Sequence, residues 1–123
     1  MAYNPVGWFE IYVQDIPRAK EFYEAVLAIE MTPLEMPGVE MFGFPMHDDV
    51  KGSSGSIIKM PDMASGGSGT LVYFTCVDCA EESGRVEAAG GTVIQPKMSI
   101  GDYGFVSLIK DPDGNMVGLH SRQ

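Results

Sequence analysis

Two stretches of this 123-residue chain carry the same order of residue types 63 positions apart, and that repeat constrains the fold more than any other feature. Trp8 to Val13 is dense in aromatic and β-branched residues and runs into Asp15; Leu71 to Cys76 is a similar run leading to Asp78. The offset, 78 − 15 = 63, also carries Glu24-Ala25 onto Glu87-Ala88 and the turn residue Gly38 onto Gly101. Gly66-Gly67-Ser68-Gly69 is flexible and sits near the middle, where a connector between two halves belongs. A duplicated unit of roughly 60 residues is the economical reading. The chain length fits one domain, residues 1–123, with module one at about 1–64, the connector at about 65–69 and module two at about 70–123.

Within each half the signals order as strand, helix and further strands. Pro17 suits a first helical turn and Asp15 its cap. Ala19, Phe22, Tyr23, Val26 and Leu27 then fall on one apolar stripe at helical period, with Arg18, Lys20, Glu21 and Glu24 on the wet side. Pro33 and Pro37-Gly38 break the chain, and Glu40 to Met46 and Ser56 to Met60 read as strands. In the second half Cys79 to Ala89 reads as a helix closed by Gly90-Gly91. Tyr103 to Lys110 and Met116 to His120 read as strands joined by the turn-forming run Asp111-Pro112-Asp113-Gly114-Asn115. The fold class is α+β.

Composition narrows the partners. Eight Lys plus Arg against 17 Asp plus Glu give a net charge of −9, which repels nucleic-acid phosphates and anionic headgroups. Neither nucleic acid nor a membrane is expected as a partner. No apolar run approaches the roughly 18 to 20 residues that span a bilayer. Met1-Ala2-Tyr3-Asn4-Pro5 has neither the basic nor the apolar stretch of a secretory leader, so a reducing cytoplasm is the expected location. Hydrophobic residues make up 45% of the chain, enough for a real core.

Strand parity places Phe9, Ile11 and Val13 toward the helix and Trp8, Glu10 and Tyr12 away from it. The same parity groups Leu71, Tyr73 and Thr75 in module two, and Met116, Gly118 and His120 on the last strand. If the two sheets curl toward each other, these residues line a cleft with aromatic walls and few charges.

Phe9-Glu10-Ile11-Tyr12-Val13-Gln14-Asp15, Arg18-Ala19, Phe22-Tyr23, Val86-Glu87-Ala88-Ala89-Gly90-Gly91 and Asp111-Pro112-Asp113-Gly114-Asn115 together resemble the vicinal oxygen chelate (VOC) superfamily. This is the group of glyoxalase I, bleomycin-resistance proteins, extradiol dioxygenases and methylmalonyl-CoA epimerases. The resemblance covers almost the whole chain and implies two βαβββ modules, each a curled half-barrel sheet around a central cleft, commonly in a homodimer. It also implies that catalytic members hold a divalent metal at positions that fall here on Trp8, Lys59, Leu71 and Gly118. None of these is a metal ligand: indole and isobutyl groups do not coordinate, glycine has no side chain and a lysine ammonium repels a cation. No metal and no other cofactor is therefore expected, although a divalent ion at a displaced site around Glu10 and His120 stays open, each lying two residues beyond a vacated position.

The first functional reading is a small-molecule binding protein. Trp8, Tyr12, Phe44, Leu71 and Tyr73 would supply apolar and stacking surface, Gly118 would leave room, and Glu10, Lys59 and His120 would hold polar ends of a small organic ligand. The alternative is a metal-dependent lyase, isomerase or dioxygenase with Glu10 and His120 as the catalytic candidates. A minor alternative is dithiol redox chemistry through Cys76-Val77-Asp78-Cys79. The repeat lays Cys76 on Val13 and Cys79 on Ile16, which favours core filling. His47-Asp48-Asp49 beside Lys51 reads as an exposed turn.

Overall fold

The computed structural model describes residues 4–67 and 69–123. Met1 to Tyr3, part of the N-terminal stretch considered for a leader, and Ser68 of the connector lie outside the described residues.

The elements are β1 (Phe9–Tyr12), α1 (Ile16–Leu27), β2 (Thr32–Pro33), β3 (Glu40–Gly43), β4 (Gly55–Lys59), β5 (Val72–Thr75), α2 (Cys79–Ser83), β6 (Thr92–Ser99), β7 (Phe105–Lys110) and β8 (Met116–Ser121). They form two four-stranded sheets ordered β1-β4-β3-β2 and β5-β8-β7-β6. In each sheet the first strand runs parallel to the last and the other pairings are antiparallel. The expected α+β class, with two βαβββ units, is what the chain forms. The offset survives into the structure: 9 + 63 = 72 starts β5 and 16 + 63 = 79 starts α2.

The two helix starts are near copies. Asp15 (φ −137°, ψ 102°) and Asp78 (φ −140°, ψ 106°) both sit in extended backbone as N-caps. The Asp15 carboxylate accepts from the Arg18 N–H and that of Asp78 from the Ala80 N–H, each at 3.0 Å. Beyond that the helices differ. α1 buries Ile16, Ala19, Phe22, Tyr23 and Val26 along its stripe and ends at Ala28, which is left-handed at φ 55°. The second helix is regular only to Ser83, not to Ala89 as the sequence suggests. Gly84 has poor helix propensity, and past it Arg85, Val86 and Gly90 donate to the third residue back, giving tightened turns rather than an α-helix.

Both sheets turn the same face to one core. Ile11, Val13 and Ile57 from the first sheet meet Ile109, Val117 and Leu119 from the second, with Phe22, Tyr23, Val26, Cys79 and Val86 between them. Phe9, Tyr23, Phe44 and Phe74 add a ring cluster with centroids 5.2–6.0 Å apart. The Asp111–Asn115 turn ties the halves together. Asp111 Oδ1 accepts from the Asp113 and Asn115 N–H groups at 2.9 Å, and Oδ2 accepts from the buried Tyr23 hydroxyl at 2.8 Å. Asn115 Nδ2 reaches the Tyr12 carbonyl at 2.9 Å, and Asp113 pairs with Arg18 and the Gln14 N–H of module one. Among the described residues no helix is long and apolar enough to cross a membrane.

Candidate functional site

A cavity of about 990 Å3 opens between the segment leading into β1, the β3–β4 loop, β5 and the end of α1. Its position follows from the repeat. Trp8 precedes β1 and Leu71 precedes β5 at the matching place, so the two strand entrances present bulky apolar groups on the same side of the molecule. Phe9, Phe44 and Phe74 form the inner wall where the cavity meets the ring cluster, and Leu27 and Ile29 close it from the end of α1. Trp8 and Tyr73 remain 39% and 48% exposed, which is unusual for rings of that size and leaves their faces available.

Of the nine residues expected at a cleft, the cavity gathers Trp8, Phe44, Leu71 and Tyr73. The other five lie outside its lining. Glu10 and Tyr12 are on the face of β1 away from α1, where the Tyr12 hydroxyl approaches Glu10 Oε1 at 3.4 Å. Lys59 is exposed at the end of β4, opposite Glu40. Gly118 and His120 are on β8, and the His120 Nε2 lies 2.6 Å from the Tyr103 carbonyl oxygen. Glu10 and His120 thus belong to different sheets, and no hydrogen bond or ion pair joins them among the described residues.

Strand register revises one correspondence. Gly118 pairs with Tyr73, two residues past Leu71; in module one the residue pairing with Glu10, two past Trp8, is Ser56 and not Lys59. Lys59 follows Gly55 by four residues as Gly118 follows Gly114, but Gly55 is itself inside β4 rather than in the turn before it. Ser56 is fully buried and its Oγ has no hydrogen-bond partner. Gly118 is bare for a packing reason: a Cβ there would run into the ring of Tyr73, which lies across β8. Among the described residues no group of three or more His, Cys, Asp or Glu side chains is placed to hold a metal.

Two features of the cavity escape sequence reading. The His47–Lys51 segment is an exposed turn as expected, yet His47, Asp48, Val50 and Lys51 also line the cavity, because the β3–β4 loop folds over it. Glu82 of α2 lines it as well, and its Oε1 is buried with no partner. The repeat carries the signal for this residue: 82 − 63 = 19, and Ala19 is wholly buried in α1. A carboxylate therefore stands where the first module packs a methyl group.

The thiols are placed for packing. Cys76 and Cys79 are free and buried. Burial, followed by the charge of nearby Glu82, pushes the Cys76 thiol up to about 12, the reverse of what thiolate chemistry requires.

The family model described as Glyoxalase/Bleomycin resistance protein/Dioxygenase superfamily matches residues 6–119. Proteins named as provisional glyoxylases CFP32, from Mycobacterium tuberculosis and Mycobacterium bovis, are 30% identical over 116 residues. The match takes in 92% of this chain but 44% of theirs, so the chain spans less than half the length of these relatives. Among solved structures, a glyoxalase/bleomycin resistance protein from Albidiferax ferrireducens superposes with a TM-score of 0.77 at 19% identity, covering 98% of this chain and all of that one. TnmS3, an antibiotic binding protein from a Streptomyces, gives 0.73 at 22% identity, covering 100% and 99%. Glyoxalase I from Zea mays gives 0.74 at 19% identity over 96% of this chain and 46% of its own. At these identities the structures speak for the fold.

Proposed function

The chain belongs to the glyoxalase/bleomycin resistance protein/dioxygenase superfamily, and within it we propose a small-molecule binding protein that works without a metal. The observation that carries this reading is the cavity itself: about 990 Å3, with Trp8, Phe44, Leu71, Tyr73 and Phe74 in its wall, it has room for a small organic molecule. Exposed ring faces at Trp8 and Tyr73 supply stacking surface. That TnmS3 is an antibiotic binding protein of the same fold agrees with the reading.

The places from which catalytic relatives would hold their metal do not fit one here. By register they carry Trp8, Ser56, Leu71 and Gly118, whose only oxygen is a neutral buried hydroxyl. A divalent ion needs anionic or imidazole donors to replace its water. Glu10 and His120, the displaced pair, make their recorded polar contacts elsewhere, Glu10 with the Tyr12 hydroxyl and His120 with the Tyr103 carbonyl. We further read the chain as a homodimer, the arrangement its family resemblance implies. We place it in the cytoplasm, in keeping with two free thiols.

Two measurements test the function. Protein purified without chelator should hold no stoichiometric Ni, Zn, Mn or Fe, and a bound ion that disappears in Glu10→Ala would restore the lyase, isomerase or dioxygenase reading. A thermal-shift screen with small aromatic compounds should give stabilising hits that are lost in Trp8→Ala and Tyr73→Ala; a screen with no such hit ends the binding reading.

A further inference from the structure

Glu82 suits the first turn of α2 by its charge, but not by the burial of its carboxylate. Glu82 lines the cavity together with Leu27, Ile29, Phe44 and Phe74, and its Oε1, covered by protein, accepts no hydrogen bond. Buried carboxylate oxygens are ordinarily met by donors, because losing water without replacement is costly. The nearest donor is the Cys76 thiol, whose hydrogen bonding is shared between Glu82 and the Phe74 carbonyl at 3.7 Å, and the ion pairs of the described residues, at Arg18, Lys20 and Lys97, do not involve Glu82. Lys51 and His47 are exposed on the β3–β4 loop, and no ion pair among the described residues joins either to Glu82. The duplicated position in module one is Ala19, so the architecture itself does not require a carboxylate.

We propose that Glu82 is the anchor for a cationic head group, and that the cavity takes a ligand with an ammonium or protonated amine at the Glu82 carboxylate and a flat apolar body against Trp8, Phe44 and Tyr73. This deepens the metal-free binding reading and rests on it. Three features agree. An ammonium supplies the missing donors as a charge-assisted hydrogen bond. The surrounding rings present negative faces that favour a cation over an anion. The net charge of −9 raises the local concentration of cations.

The test uses the chain's single tryptophan, Trp8, whose fluorescence reports directly on the cavity. The probes are 3-phenylpropylamine and its neutral counterpart 3-phenylpropan-1-ol, titrated at pH 7 and moderate salt. The amine should bind roughly tenfold or more tighter than the alcohol, the margin expected of a hydrogen bond to a charged group. Glu82→Gln should bring the two within about threefold while leaving the alcohol's affinity in place. Should the glutamine variant not fold, Glu82→Ala, which copies module one, gives the same reading. Glu81→Gln, which makes the same change in net charge on an exposed residue outside the cavity lining, should leave the preference intact. Equal binding of amine and alcohol to the wild type, or a preference that persists without Glu82, overturns the anchor and leaves the aromatic cavity standing. Failure of both probes to bind at millimolar concentration takes down anchor and cavity together.

Discussion

The ring of Tyr73 lies across the α-carbon of Gly118, so that the bare residue on β8 and the exposed aromatic on β5 occupy one shared space. The two are direct register partners in a parallel pair. Glycine is thus retained by a neighbour's ring and not by backbone strain.

That relationship predicts coupling. Gly118→Ala should push the Tyr73 ring toward solvent, where it is already half exposed, at about 1–2 kcal/mol. In a Tyr73→Ala background the same substitution should cost markedly less. A double-mutant cycle by chemical denaturation should show a coupling of about 0.5 kcal/mol or more. Additive effects would mean the ring does not occupy the space above Gly118.

A second prediction concerns the tie between halves. The Tyr23 hydroxyl donates to Asp111 Oδ2 at 2.8 Å in a fully buried setting, and burial, reinforced by Asp111, raises the Tyr23 pKa well above 10.0. The tyrosine therefore stays a donor across the usable pH range. Tyr23→Phe removes one donor from a buried carboxylate that keeps its bonds to Asp113 and Asn115, and should cost about 1–3 kcal/mol in urea unfolding. A variant as stable as the wild type would show that the bond contributes nothing net.

Acid behaviour follows from three carboxylates with opposite signs. Glu24 is held below its ordinary 4.5 by the Met31 N–H and then Lys20, and Asp78 below its ordinary 3.8 by Lys97 and then the Ala80 N–H. Each contributes stability above its unfolded value and loses it as pH falls through the lowered folded one. Asp111 is the reverse: burial raises it despite its hydrogen bonds, so its contribution is present below 3.8 and is lost as pH rises through the folded value. Glu24→Gln with Asp78→Asn should flatten the fall in stability below pH 4.5, measured as unfolding midpoint against pH. Both groups are at the surface, so the effect should shrink at high salt.

What the sequence made legible was what repeats. Asp15 and Asp78 identify both helix starts because each cap depends on one short-range hydrogen bond. The stripe from Ala19 to Val26 identifies α1 because burial there follows a single period. Strand β6 hides because its burial alternates but its polarity does not follow, with Gln95 and Lys97 half-buried and Ile94 and Met98 exposed, and because Pro96 argues against a strand; on a sheet edge that proline is tolerated. Strand β2, two residues long, is too short for any pattern. Parity told which residues share a strand face but not which strand ends converge, so Trp8 and Tyr73 were placed with Glu10 and His120, which the cavity does not include. Glu82 was legible only through the offset, as a charge at a core position.

The last prediction separates packing from redox use of the two cysteines. Cys79 is fully buried and its N–H donates to the Ser121 hydroxyl at 3.0 Å, while Cys76 is held protonated by burial and by the Glu82 charge. A thiol that titrates at about 12 offers almost no thiolate at pH 8, and alkylation requires thiolate. Native protein should therefore resist iodoacetamide at pH 8 at both positions and take up two equivalents once unfolded. Neutralising the nearby charge in Glu82→Gln should speed Cys76 labelling, since the Glu82 charge, second only to burial in holding the thiol protonated, is then gone. Rapid labelling of native Cys76, or a disulfide forming reversibly between the pair under mild oxidation, would reinstate dithiol chemistry at the β5–α2 junction.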